Sequence, residues 1–235
     1  MPKTDNKSEY IEALGSGVKL ICSPIHGFGT DAILLANFAA PKRMDRCVDL
    51  GTGCGIIPFI WLRDGVESEI IGVDIQETAI NQFNRSLELN NSPSNLKGIN
   101  QDLRKIGRVL PKGYFDLVAM NPPYKPAGTG ILSQATPEQI ARHEIMCTID
   151  DATKAASELL QFGGRFVMCH RPERLADVIC SMRANGIEPK RLRMVQKRPN
   201  TQPWLFLIEG KKGSKPFLEV MPPLFIQDED GNDSE

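Results

Sequence analysis

The sequence lacks any apolar run near the roughly 18–20 residues that a membrane-spanning helix needs. Its start, Met1-Pro2-Lys3-Thr4-Asp5-Asn6-Lys7, lacks the apolar centre of a secretory signal. The six cysteines (Cys22, Cys47, Cys54, Cys147, Cys169, Cys180) form no C-x-x-C pair, so neither a zinc site nor a disulfide framework follows. They read as reduced thiols of a cytoplasmic protein, and no metal is expected. There is no internal repeat, and the net charge is only −1. What is present is 235 residues, 41% hydrophobic and 24% charged. That is enough for one domain with a full core, and it excludes disordered, collagenous and fibrous classes.

The charge is unevenly spread. The tail from Asp228 carries five acids, and without it the body has 28 basic residues against 24 acidic ones. From Gly163 to Phe217 there are twelve Lys/Arg and four Asp/Glu. A basic C-terminal third points weakly to a nucleic-acid partner; a solvated basic face without a partner explains it equally well.

Periodicity supplies the elements. Short apolar strands are expected at Arg46–Leu50, Glu69–Val73, Leu96–Asn100, Tyr114–Met120 and Arg165–Cys169. Helices are expected at Ile56–Leu62, Glu77–Asn90, Asp150–Leu160 (ended by Gly163-Gly164) and Glu173–Ala184. Arg191–Gln196 and Trp204–Glu209 read as a closing antiparallel pair. The alternation predicts an α/β, doubly wound, mostly parallel sheet of seven strands, with ligands beyond the strands' carboxyl ends. Residues 1–40 form an N-terminal extension whose helix starts at Thr30, a plausible cap. Residues 41–226 form the main domain, and 227–235 an acidic tail expected to be disordered.

The first of these strands runs into Asp49-Leu50-Gly51-Thr52-Gly53-Cys54-Gly55. Alternate glycines allow a tight turn and close approach of the backbone to a ligand, and the next helix offers free N–H groups. A dinucleotide fingerprint would need its third glycine at 56, where Ile56 stands. The pattern G-x-G-x-G instead resembles the cofactor turn of class I S-adenosylmethionine-dependent methyltransferases. Asp74, ending the next strand, either accepts hydrogen bonds from both ribose hydroxyls or caps the helix that follows. The resemblance favours the first, and it implies that Asp102, after the third strand, meets the cofactor adenine; a loop-surface acid is the alternative.

The fourth strand delivers Asn121-Pro122-Pro123-Tyr124. Two prolines fix the backbone just outside the sheet. The Asn121 side-chain oxygen and the Pro122 carbonyl suit the two hydrogens of one amino group, and Tyr124 offers a flat face for stacking. A conjugated amine is a poor nucleophile because its lone pair is delocalised into the ring. Two acceptors favour the geometry in which that pair points at a methyl group, and the proton leaves late. Most of the rate then comes from alignment.

Phe28-Gly29-Thr30-Asp31-Ala32-Ile33-Leu34-Leu35-Ala36, Asp49–Pro58 and Asn121–Tyr124 together are similar to bacterial tRNA adenine-N6 methyltransferases, which act on adenosine 37 beside the anticodon of a valine tRNA. Ala141-Arg142-His143-Glu144, His170–Ala176 and Val220-Met221-Pro222-Pro223-Leu224 extend the likeness over nearly the whole chain. The resemblance implies S-adenosylmethionine as cofactor and a tRNA anticodon stem-loop as partner. In that family the N-terminal segment closes over the cofactor. Phe28, Gly29 and Thr30 are then cofactor contacts beside Asp49, Gly51, Gly53, Gly55, Asp74, Asp102 and Asn121, though core packing and a helix cap also account for the first three. Pro123, Tyr124 and Lys125 face the substrate, and Arg191, Arg193, Lys197 and Arg198 are candidates for the RNA backbone. Lys125 either meets a phosphate or stays in water. His143 either positions substrate or pairs on a helix surface. For His170 a backbone or phosphate contact is expected rather than acid–base work, and Trp61 is assigned to the core.

Two related activities compete. A release-factor glutamine methyltransferase uses the same tetrapeptide but carries a helical domain ahead of it, and 45 residues before the first of these strands are too few. A ribosomal-RNA guanine-N2 methyltransferase commonly has phenylalanine where Tyr124 stands. A binding module without catalysis fits poorly with intact Gly51, Gly53, Gly55, Asp74 and Asn121.

Overall fold

The computed structural model describes residues 9–122, 147–228 and 232. The chain opens with a hairpin, β1 (Tyr10–Gly15) and β2 (Val18–Cys22), followed by α1 (Thr30–Ala39). Then come β3 (Cys47–Leu50), α2 (Ile56–Arg63), β4 (Ile70–Asp74), α3 (Glu77–Leu89), β5 (Leu96–Asn100), a 3-10 turn (Leu103–Arg108) and β6 (Phe115–Met120). After the undescribed stretch lie α4 (Ile149–Leu159), β7 (Leu160–His170), a short 3-10 turn (Pro172–Arg174), α5 (Leu175–Ala184), β8 (Ile187–Gln196) and β9 (Pro203–Lys212). Two-residue strands β10 (Glu219–Val220) and β11 (Leu224–Phe225) close the described chain.

One sheet of nine strands holds all but the hairpin, in the order β10-β8-β9-β7-β6-β3-β4-β5, with β11 also on β8. Without the two short strands it is the expected seven-stranded sheet, parallel from β5 to β7 and antiparallel through β9. Every residue of β3 and β4 is buried, as strands covered on both faces must be. Alternate side chains feed two cores. Cys47, Ile70, Leu117 and Val167 meet α1, α2 and the hairpin, with Trp61 fully buried among them. Val48, Ile71, Val118 and Phe166 meet α4 and α5. Trp61 Nε1 donates to Ala36 O at 3.2 Å, so its one polar atom is satisfied in the core.

Three local expectations change. Residues 1–40 do not merely precede the sheet: they contain a hairpin clamped to α3 by Ser86 Oγ, which accepts from Ile21 N–H, and by Gln82 Nε2, which donates to Ile21 O. Gly163 and Gly164 do not end a helix. Leu160 turns straight into β7, and the pairing of β6 with β7 shifts register across the glycines, Gly163 having φ 79°; this is a bulge. Thr148 and Asp151 form a capping box that starts α4 one residue earlier than expected. Near the C-terminal end, Ile226 and Gln227 N–H groups donate to Gln196 O and Lys197 O at 3.0 and 2.9 Å. No helix among the described residues is long and apolar enough to cross a membrane.

Candidate active site

The order of strands reverses between β3 and β6: β4 and β5 continue on one side of β3, and β6 lies on the other. Loops leaving the carboxyl ends there diverge and open a crevice. A cavity of about 550 Å³ occupies it, lined by the turn after β3, by Asp74–Gln76 after β4, by Gln101–Leu103 after β5, by Met120–Pro122 after β6 and by Ile25–Gly29 with Asp31 and Ala32. That volume suits a ligand the size of a nucleoside conjugate.

The turn is held from both sides. Gly51 and Thr52 N–H groups donate to Val73 O at 2.8 and 2.9 Å. Gly53 N–H donates to Asp74 Oδ2 at 2.9 Å, and Gln76 N–H donates to Oδ1 at 2.9 Å. Asp74 therefore ties two loops together rather than capping α3, whose N-cap is Gln76. Each of its oxygens takes one of these bonds and keeps a further lone pair for a ligand. Gly51, Gly53 and Gly55 all take positive φ, at 73°, 54° and 94°. Gly55, however, does not line the cavity. A Cβ there would meet Phe83 Cδ2 at 2.5 Å, so its small size serves helix–helix packing, not ligand approach as expected from the motif.

Asp49 is 1% exposed. Burial raises its carboxyl pKa to about 8; the nearby Thr52 hydroxyl opposes the rise and the Asp74 charge adds to it. Asp49 Oδ1 and Thr52 Oγ1 are buried without hydrogen-bond partners among the described residues. Orphaned polar atoms in a cavity wall fit a ligand that brings a donor or a positive charge. The cavity thus passes the test for an S-adenosylmethionine-like ligand: a polar end at Asp49, an acid at Asp74 and an apolar flank where Ile75 is exposed beside Leu103.

Asp102 lines the cavity, but its carboxylate caps the 3-10 turn through Arg104 N–H at 2.9 Å and pairs with Arg104 Nη2 at 2.6 Å. That hydrogen bonding holds its pKa below the usual carboxylate range. Phe28 and Gly29 line the opposite wall; Thr30 does not, and the N-cap of α1 is Gly29, not Thr30. Thr30 is the first helical residue and is exposed, so neither of its expected roles appears.

Asn121 stands at the mouth. Among the described residues its Nδ2 donates to Asp31 Oδ2 at 3.1 Å, and its Oδ1 accepts from Cys169 Sγ at 3.1 Å. Pro122 follows it in the wall. Pro123, Tyr124, Lys125 and His143 lie outside the described residues.

The expected basic contacts separate into two groups. Arg191 is internal: its guanidinium donates to Glu209 Oε2 at 2.7 Å and to Phe38 O at 3.3 Å, and lies 4.8 Å from the Phe38 ring centroid. Arg193 Nε donates to Pro222 O at 3.1 Å. Lys197 and Arg198 are exposed, at the sheet end that carries Asn121, and Arg198 Nε also donates to Gln227 Oε1. His170 is buried; its Nδ1 accepts from Arg171 N–H at 2.8 Å and its ring stacks on Phe206. Burial, reinforced by Arg174 and Arg171, lowers its pKa to about 4, which favours the neutral ring, and Arg171 N–H supplies the expected backbone contact.

Sequence reasoning passed over His26, Ile75 and Asp31. His26 lines the cavity with Nε2 3.0 Å from Thr78 Oγ1, and burial lowers its pKa. Only Ile75 left a local signal, an apolar residue directly after a strand-end acid.

The fold, the glycine turn with its strand-end acid and the asparagine opposite define a class I methyltransferase. The chain matches the methyltransferase small domain model over residues 28–173 and belongs to that family. It is 32% identical over 142 residues to a tRNA1(Val) (adenine(37)-N6)-methyltransferase of Pasteurella multocida, covering 60% of this chain and 58% of that one. A protein of the same name from Bacteroides fragilis is 25% identical over 77% of this chain and 75% of its own. Among solved structures, a predicted O-methyltransferase from Agrobacterium tumefaciens superposes with TM-score 0.67 at 22% identity, covering 85% of this chain and 88% of that one. A SAM-dependent methyltransferase from Aquifex aeolicus gives TM-score 0.55 at 14% identity over 77% and 89%. At these identities the structural likenesses carry the fold alone.

Proposed function

We propose that the chain transfers a methyl group from S-adenosylmethionine to the exocyclic N6 amine of an adenosine in tRNA, at position 37 beside the anticodon of a valine tRNA. The observation that carries the reading is the Asn121 amide, held at the carboxyl end of β6 in the same cavity as the glycine turn. The names of the curated relatives support the tRNA and the adenine.

When bound, the sulfonium donor supplies an electrophilic methyl group. The chain's own residues do the rest. Asp49 accepts the ammonium of the methionine portion, which relieves its orphaned oxygen. Asp74 accepts the ribose hydroxyls while anchoring Gly53. Ile75 and Leu103 flank the adenine, and Asp102 stands beside them. Phe28 and Gly29, in residues 1–40, cover the site from the α1 side. Asn121 Oδ1 and the Pro122 carbonyl take the two hydrogens of the acceptor amine, turning its lone pair toward the methyl. Tyr124, Pro123 and Lys125 lie outside the described residues and are assigned to the substrate from the sequence alone, Tyr124 for stacking on the base. No strong base is required before attack, consistent with a neutral His170. A base in an anticodon loop is already unpaired, so moving it into the pocket costs little. Lys197 and Arg198 meet the RNA backbone. The six cysteines are all free thiols, in keeping with the cytoplasm as the working compartment.

Unmodified bulk tRNA incubated with methyl-labelled S-adenosylmethionine should yield N6-methyladenosine on nucleoside mass spectrometry. Label found as N2-methylguanosine in ribosomal RNA, or only in a release factor, would overturn the reading.

A further inference from the structure

We propose that Asp31 is a positioning residue that fixes which end of the Asn121 amide faces the acceptor amine; this rests on the reading above. A primary amide is nearly symmetric in shape, so its oxygen and nitrogen can exchange places at small steric cost. Only one sense is productive. With Oδ1 toward the amine, Asn121 accepts a hydrogen; with Nδ2 there, two N–H groups confront two N–H groups and repel. Something outside the amide must choose.

The geometry points to Asp31. Its carboxylate has acceptors and no donor, and Asn121 Nδ2 lies 3.1 Å from Oδ2. Flipping the amide would set oxygen against carboxylate oxygen. On the other side the Cys169 thiol, a weak donor, reaches Oδ1 at 3.1 Å. Both neighbours select the same sense, with the charged one dominant.

Local structure explains how the carboxylate is held. Asp31 lies in the first turn of α1, where the helix N-terminus favours a negative charge. A Cβ on Gly29 would come 2.6 Å from Asp31 Oδ1, so a side chain there would displace the carboxylate. The Gly29-Thr30-Asp31 run thereby serves the asparagine as well as the cavity wall.

The test uses the full chain. The Asn121 side-chain N–H pair is assigned in a nitrogen–proton spectrum by its loss in Asn121→Ala. In Asp31→Ala this pair should shift and broaden as both amide senses are visited; Asp31→Glu, which keeps a carboxylate with acceptors and no donor, should preserve a single sharp pair. With RNA and donor, Asp31→Ala should lower kcat about ten- to a hundredfold, as expected for a small misplacement at a reacting centre, with KM for RNA and donor affinity changed less than about twofold. Asp31→Glu should restore kcat to within a few-fold. Should Asp31→Ala not fold, Asp31→Ser, able to donate as well as accept, should show the same broadening. An unmoved amide pair in the folded alanine or serine variant overturns the proposal. So does an Asp31→Glu enzyme as slow as Asp31→Ala whose amide pair stays as sharp as in the wild type, since the amide sense then does not set the rate. If the wild type methylates no adenosine in tRNA, the function above fails, while the amide pair still decides the role of Asp31.

Discussion

The loops after β3 and β4 and the basic ribbon of β8 and β9 are built on opposite principles. In the first, each functional atom is set by residues close in sequence: the glycines of the turn and the acid that ends the next strand. In the second, a residue's role depends on what lies across the sheet. Of the basic residues between Gly163 and Phe217, Arg165 and Arg191 both pair with Glu209, and Lys212 Nζ donates to Ser157 O and Leu160 O at the end of α4. Part of the local excess of positive charge is therefore internal wiring, while Lys197 and Arg198 on the β8–β9 loop and Lys211 and Lys215 near the end of β9 are exposed. A charge run reports a surface only after its partners are known.

The sharpest break in the comparison would come from Asn121→Ala. It should reduce methyl transfer by about a hundred- to a thousandfold, the range for loss of one polar group aimed at a reacting centre, while donor affinity by calorimetry stays nearly unchanged. Parallel loss of both would make Asn121 part of the cofactor wall.

Next in size is the glycine that packs rather than binds. Gly55→Val combines a strained backbone with a clash on Phe83, and should lower stability by about 2–4 kcal/mol in denaturant titration. Gly53→Ala carries strain alone, about 1–2 kcal/mol, since nothing lies within 4 Å of its Cβ, and should show its main effect on donor affinity. Equal destabilisation by the two would dissolve the distinction within the motif.

Asp49 supplies a pH test. Its folded pKa is raised to about 8 by burial, so between its ordinary carboxylate value and 8 the folded protein binds more protons than the unfolded chain. Stability of the ligand-free protein should then fall as pH rises through that window, and Asp49→Asn should flatten the fall in thermal melts. An ammonium beside the carboxyl favours its ionised form, so donor binding should release a proton and tighten toward tenfold per unit between pH 5.5 and 7. A pH-independent affinity with no proton release would remove Asp49 from that contact.

The smallest effects separate the basic residues. Arg191→Ala should destabilise the fold by about 1–3 kcal/mol, because Glu209 is left buried without one of its partners, with RNA affinity unchanged. Lys197→Ala and Arg198→Ala should leave stability alone, weaken RNA binding a few-fold each and reduce the salt slope by about 0.7–0.9 per charge. The reverse pattern would place the RNA along the β8 edge instead.

What could be read without coordinates was whatever repeats or pairs over short spans. Alternating apolar segments specify strands and helices because burial follows periods of two and 3.6 residues. The turn Gly51–Gly55 and Asp74 are legible because a tight turn and a strand end are local events. The hairpin β1–β2 escaped because its first strand is mostly exposed, with only Glu12 and Leu14 partly buried, giving a weak alternation. The bulge at Gly163 escaped because glycine marks helix ends and strand irregularities alike.

The chain's own order of residues thus determined a doubly wound sheet, a glycine turn facing a strand-end acid, and an asparagine after the fourth parallel strand. Folding in three dimensions decided that Gly55 packs, that Arg191 is internal, and that Asp31 and Cys169, 90 and 48 residues from Asn121, flank its amide. The physical reason is range. Backbone geometry and amphipathic period act between neighbours, whereas hydrogen bonds and ion pairs join whichever groups the sheet order brings within about 3 Å of each other.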